Sequence, residues 1–318
     1  MGWFYIVIVL LMRIVQNVFV KTNSKLVPKN SVCYLKYTIF YIGCASIPAF
    51  VLFLIGYVGR GGVLYFDETL FYATLSGVAL AIGCCCSLYA LTTGTMVLNS
   101  LFATAGLLVP TIAGVFLYQE LLSIWQYVAI VIFMLGAYFL VGNSKTIYGK
   151  FSFTTLVVLI VNLLSNGITM LMQTMFARNV ENGNVSLFSF LSFISGAVVL
   201  ALVLFVILII VKNSDDKVEN NNDIFALLPN KKGQLALPKK VFLGALILAV
   251  AVFVINQLIT ISASTISPVT LFSFTCGGAT IISAVVGSIM YKEKFTTKSI
   301  IGIILGVGSL IMIKIFTV

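Results

Sequence analysis

Ten apolar runs divide the chain, near residues 2–20, 33–58, 69–93, 96–117, 123–142, 152–176, 186–211, 241–263, 268–290 and 298–317. A helix needs about 20 mostly apolar residues to cross the hydrocarbon core, and each run meets that length. The third and fourth runs are separated by Thr92-Thr93-Gly94, and the eighth and ninth by the stretch from Ser262 to Pro268. Both links are free of charge and short enough to be tight turns. The expected fold is therefore an all-α integral membrane protein of ten transmembrane helices.

A pattern recurs across these runs. Gly114, Tyr118 and Glu120 are repeated at the same spacing as Gly287, Tyr291 and Glu293, an offset of 173 residues. The same offset lays the third run on the eighth, and an offset of 149 lays the first on the sixth, placing Arg13 on Asn162 and Asn17 on Asn166. Two related halves follow, 1–142 and 143–318. With five spans per half, the second half enters the membrane from the opposite side, which makes an inverted repeat around a central cavity. Glu120 and Glu293 stand before the fifth and tenth runs, where a carboxylate suits a helix start.

Composition agrees with this reading: 60% of the residues are hydrophobic and 9% charged, against about a quarter charged in soluble domains, and the mean hydropathy is +1.14. The net charge of +10 comes from lysines in the connections rather than from an aromatic-interleaved basic patch, so nucleic acid is not an expected partner. Fifteen of the 19 Lys and Arg flank the odd-numbered connections. The positive-inside bias then makes those connections cytoplasmic and both termini external, with a bacterial inner membrane as the expected location. The first run carries Arg13, Gln16 and Asn17 and reads as a retained helix rather than a cleaved signal. The seventh connection, 212–240, reads as a flexible hydrophilic linker. No cofactor is expected, since the six cysteines show no metal-ligand spacing and there is no histidine.

Within the runs, Arg13 is the single charge at mid-depth. Burying it costs about 2.5–3.5 kcal/mol on insertion scales, which calls for a functional account. Gln16 and Asn17 follow at helical spacing on the same face, and the sixth run offers Asn162, Ser165, Asn166 and Gln173. Asn256 and Gln257 in the eighth run, Asn99 and Ser100 in the fourth, Thr275 and Cys276 in the ninth and Tyr89 in the third complete the candidates. Two readings stand for this set: a polar cavity where the halves meet, or hydrogen-bonded contacts between helices with Arg13 reaching toward an interface. The runs hold no Asp, Glu or His, so a pump built on a buried carboxylate lacks its titrating group. Exchange or facilitated diffusion fits better. Pro110, in the middle of the fourth run, removes one helical hydrogen bond and marks a kink or hinge.

The duplicated Gly-x-x-x-Tyr-x-Glu after a small-residue helix, with Ala129 and Gly136 in the fifth run and Gly302, Gly306 and Gly308 in the tenth, resembles the EamA-type branch of the drug/metabolite transporter superfamily. The resemblance implies a basket of ten helices with a cavity lined by the first, third, fourth, sixth, eighth and ninth, and alternating access by rocking of the halves. Small four-helix exporters of the superfamily use a buried Glu in the first helix, where this chain has Arg13, so an anionic or zwitterionic substrate such as an amino acid is expected. Nucleotide-sugar or drug export, or a membrane-embedded lipid-modifying enzyme, are the alternatives. The expected partners are a small-molecule substrate, the lipid bilayer and a second copy of the chain.

Overall fold

The computed structural model describes residues 2–28, 31–59, 66–93, 96–118, 153–180, 183–213, 237–266, 268–292 and 296–316, with 123–125, 127–129, 131, 132, 135, 136 and 139 between them. Every regular element among these residues is a helix: α1 (Gly2–Leu26), α2 (Ser31–Gly59), α3 (Phe66–Thr93), α4 (Met96–Ala105), α5 (Leu108–Tyr118), α6 (Phe153–Asn179), α7 (Val185–Asn213), α8 (Lys239–Ala263), α9 (Pro268–Tyr291) and α10 (Thr297–Ile315). In hydrocarbon each backbone N–H and C=O must be satisfied within the segment, and uninterrupted helices do this. Among the described residues α1, α2, α3, α6, α7, α8 and α9 are each long and apolar enough to cross a membrane, and shorter apolar helices cover Leu98–Pro110 and Thr297–Ser309. The chain is thus an all-α, multi-pass membrane protein. Glu120, Glu293 and nearly all of the 212–240 connection lie outside the described residues.

The fourth apolar run, where the sequence expects a kink or hinge at Pro110, is broken four residues earlier. Pro110 has no N–H to give the carbonyl of Gly106, and Val109 N donates to that carbonyl instead, at 3.0 Å. Leu107 N turns back to Thr104 O at 3.0 Å, so helical pairing stops four residues before the proline and restarts as α5. The break also admits α6: a Cβ at Gly106 would stand 2.7 Å from Gly167 N. The residue 173 positions on from Pro110 is Ser283, whose Oγ donates to Ala279 O at 2.7 Å, and α9 runs on past it without interruption.

Helix packing follows a regular scheme. α1 lies on α8 and α9; α6 lies on α3 and α4. α2 packs on α7 and α8, and α7 packs on α2 and α3. α4 crosses α9, where Thr104 Oγ1 bonds Cys276 O at 3.1 Å and Thr280 Oγ1 at 3.0 Å. α8 is the most enclosed of the seven long helices, while apolar stripes such as Phe4, Val7 and Leu11 on α1 and Leu243, Leu246 and Val250 on α8 remain exposed and face lipid. The α3–α7 crossing is the tightest. A Cβ on Gly77 would overlap the carbonyl oxygen of Ser192, and one on Gly196 would stand 2.5 Å from Gly77 O.

One end of the bundle gathers the C-terminal turns of α1 and α9 with the N-terminal turns of α2 and α8. Asn23 Nδ2 bonds the Tyr37 hydroxyl at 2.7 Å, Phe40 meets Phe242 edge-on at 4.9 Å, and Lys25 Nζ sits 4.9 Å over the Tyr291 ring. Lys25, Lys36, Lys239, Lys240 and Lys292 therefore share this end. α9 stops there because Lys292 adopts a left-handed backbone, φ 51°, the conformation that commonly closes a helix. At the opposite end Asn179 Nδ2 bonds the Tyr72 hydroxyl at 3.0 Å, and Phe176 stacks on Phe188 at 4.5 Å.

A polar cavity between the helix pairs

The packing leaves a cavity of about 120 Å³ between α1, α2, α3, α4, α6, α8 and α9. Its polar wall is built from helical stripes. On α1, Arg13, Gln16 and Asn17 face it together, as their spacing requires. Arg13 Nη1 donates to Gln16 Oε1 at 2.8 Å. Arg13 Nε is buried and has no hydrogen-bond partner among the described residues. The amide of Asn17 donates across to Ser283 Oγ on α9 at 2.8 Å.

The facing wall is a chain of amides. Asn166 Nδ2 donates to Asn162 Oδ1 at 2.8 Å, Asn162 Nδ2 to Asn99 Oδ1 at 3.1 Å, and Asn99 Nδ2 to Ser87 Oγ at 2.7 Å. The chain links α6, α4 and α3, and Gly83 on α3 makes room for it: a Cβ there would stand 3.3 Å from Asn166 Nδ2. Farther along α6, Gln173 Nε2 donates to Asn256 Oδ1 on α8. Tyr37, Tyr41, Cys84 and Cys276 also line the space, with an apolar floor that includes Leu88, Val252, Ile255 and Phe272. The described lining contains no Asp, Glu or His, so the one formal charge on the wall is that of Arg13.

Seven of the ten candidates from the sequence meet at this cavity: Arg13, Gln16, Asn17, Asn99, Asn162, Asn166 and Asn256. Three do not line it. Tyr89 packs edge-on against Tyr34 with ring centroids 6.3 Å apart, among the apolar residues at the lysine-bearing end. Gln257 lies one residue, and so about 100°, around α8 from Asn256; it donates to Ser186 Oγ at 2.8 Å and accepts from Ser189 Oγ at 2.9 Å on α7. The Thr275 hydroxyl turns back onto Leu271 O of its own helix at 2.8 Å, a common use of a threonine inside a helix.

Residues the sequence does not single out also contribute. Tyr37 and Tyr41 come from α2, where hydroxyls in an apolar run give no periodic signal. Lys21, which does not line the cavity, is the larger surprise: hydropathy places it in the first connection, but α1 continues to Leu26 and Lys21 is 4% exposed. Its Nζ donates at 3.1 Å to the carbonyl of Leu91, a cavity-lining residue in the last turn of α3.

Asn162 holds the amide chain together, which gives a direct test. Asn162→Ala removes one hydrogen bond between helices, to Asn99, and one within α6, from Asn166, and lowers stability by roughly 1–2 kcal/mol, read as a lower Tm in detergent. Thr275→Val, which removes only a bond within one helix, leaves the Tm within about 1 °C on the same reasoning. Equal effects of the two substitutions would contradict this account of the wall.

No family model and no curated protein matches the chain. Solved structures do: one crystal structure is similar to it over 96% of this chain and 97% of that one, with a TM-score of 0.52 at 13% identity, a likeness of fold.

Proposed function

We propose that the chain is a secondary transporter that carries a small anionic or zwitterionic metabolite, such as an amino acid, through this cavity by alternating access. The observation that carries the reading is Arg13. A guanidinium in the middle of a membrane-spanning helix, facing an open cavity with one hydrogen-bond acceptor and no carboxylate on the described wall, lacks the counter-charge that buried cations elsewhere have. A carboxylate that enters the cavity supplies it.

The two-repeat architecture and the resemblance to EamA-type drug/metabolite transporters draw support from the packing. Adding five to each helix number, with the α4–α5 pair counted as the fourth span, turns the α1–α8 contact into α6–α3, α1–α9 into α6–α4, and α2–α8 into α7–α3. The α2–α7 and α4–α9 contacts map onto themselves, as contacts across the axis of such a repeat would. In this arrangement the lysine-bearing end is cytoplasmic by the positive-inside bias.

Size narrows the cargo. A cavity of about 120 Å³ is close to the ~150 Å³ that admits a benzene-sized molecule. A nucleotide sugar exceeds it several-fold and brings phosphates that one guanidinium neutralises poorly. With no titrating carboxylate or histidine on the described wall, exchange or facilitated diffusion is the proposed mode. The test is a counterflow screen of the purified chain in liposomes with amino acids, small carboxylates, nucleotide sugars and organic cations. Accumulation of labelled carboxylate-bearing compounds is the expected result; accumulation of organic cations alone would overturn the reading.

A further inference from the structure

The hydrogen bonds around the cavity decide which atoms of its amides are spent and which are left for a ligand. A backbone carbonyl can only accept. Asn166 lies 2.8 Å from the carbonyl of Asn162, so the atom it presents there is Nδ2, and that nitrogen also donates to Asn162 Oδ1 at 2.8 Å. Both N–H groups of Asn166 are then used. Ser283 fixes Asn17 in the same way. Its hydroxyl gives its single hydrogen to Ala279 O at 2.7 Å, so it can only accept from Asn17, 2.8 Å away, and the atom it meets is Nδ2. A guanidinium cannot accept either, so Arg13 meets the oxygen of Gln16 and leaves Gln16 Nε2 as a further donor. Among the described residues, Oδ1 of Asn17 and Oδ1 of Asn166 accept no hydrogen bond. The lining is thus divided: Arg13 and Gln16 offer N–H groups, while Asn17 and Asn166 offer oxygens. Arg13 and Asn17 are four residues apart on one face of α1, with Cβ atoms about 5–6 Å apart, close enough for one small molecule to touch both.

We propose that Asn17 and Asn166 are the specificity-determining residues of the cavity, a pair of acceptors that select a carboxylate carrying a hydrogen-bond donor, hydroxyl or ammonium, on the adjoining carbon. The carboxylate takes the N–H groups of Arg13 and Gln16, and the donor takes the two amide oxygens. A compound without the donor strips water from those oxygens and leaves them unpaired, and one with a carbonyl in its place sets oxygen against oxygen. Leaving a buried polar group unpaired rejects a wrong ligand far more strongly than a small misfit of shape does. The oxygens cannot turn away to relieve this, because each amide is tied through its nitrogen to a neighbour whose own polarity is fixed.

This rests on the reading of Arg13 as the partner of a carboxylate, and the test separates it from transport. Binding to the purified chain in detergent is measured by calorimetry for four compounds of nearly equal size: lactate with a hydroxyl, L-alanine with an ammonium, propionate with neither, and pyruvate with a carbonyl oxygen. Lactate, L-alanine or both bind about tenfold more tightly than propionate, the equivalent of one hydrogen bond, and pyruvate binds no better than propionate. The tighter of the first two tells whether the donor is neutral or charged. In Asn17→Ala and Asn166→Ala the preference over propionate falls toward one while propionate itself binds within about twofold of the wild type, a change that a merely structural role would not produce. The wild-type series decides without any variant. Equal affinities across it, no binding of lactate or L-alanine, or an unchanged preference in both variants would each overturn the inference. Counterflow of all small carboxylates alike removes the acceptor pair and leaves the transport reading; donor-dependent binding without counterflow does the reverse.

Discussion

Arg13→Ala reduces carboxylate exchange by two to three orders of magnitude while leaving the helix bundle intact. The guanidinium has five N–H donors, of which one is used on Gln16 and Nε is buried without a partner, so a bound carboxylate can take a two-point contact. Hydrogen bonds to charged groups contribute about 1.5–3 kcal/mol each, and loss of two near the lower end of that range amounts to roughly 3–4 kcal/mol in kcat/KM. Arg13→Lys keeps the charge and loses the planar fork, so it restores part of the activity. Stability moves the other way, because removing a buried cation without a carboxylate partner relieves a cost of about 2.5–3.5 kcal/mol; the Tm of the alanine variant is equal to or above that of the wild type. Exchange at the wild-type rate in either variant would remove Arg13 from the mechanism.

The second large effect is on assembly. Gly77→Ala drives a methyl group into the Ser192 carbonyl and against Ser195 Oγ, both on α7. The carbonyl belongs to the interior of a 29-residue helix and cannot swing aside as a flexible side chain would, so α3 and α7 must separate along their crossing. Overpacking of this kind costs about 1–3 kcal/mol or more, and close helix approach is much of what holds a bundle together where lipid is as apolar as leucine. Gly277→Ala is the matched control, because nothing stands within 4 Å of its Cβ position and alanine favours the helix by roughly 0.5–1 kcal/mol. Size-exclusion profiles and Tm in detergent should show a loss of folded protein for the first and none for the second. Similar profiles would mean that the crossing is looser than described.

Seven of the spans were legible because the length of an apolar run marks a membrane-crossing helix, and the polar stripes because helical periodicity writes them directly into the chain. Arg13, Gln16 and Asn17, and Asn162 and Asn166, lie three or four residues apart, and a shared face follows from that alone. What a stripe meets is not written in the same way. Gln257 adjoins Asn256 in sequence and points to α7 instead of the cavity; Thr275 satisfies itself on its own backbone; Tyr89 stands among other aromatics. Lys21 was misread for a different reason. Hydropathy marks where side chains prefer lipid, and α1 outlasts that preference by almost two turns, so a buried lysine resembled a loop lysine. Pro110 was recognised as a disturbance, but the disturbance falls on its missing partner at Gly106.

That break has a mechanical consequence. α4 and α5 meet through a two-residue turn, Gly106–Leu107, whereas α9 is a single stiff rod of 24 residues. The α4–α5 path carries an articulated joint that α9 lacks. A two-residue turn has fewer helical hydrogen bonds to resist local bending than an unbroken helix, whose Pro268 and Tyr291 ends are joined by one continuous ladder.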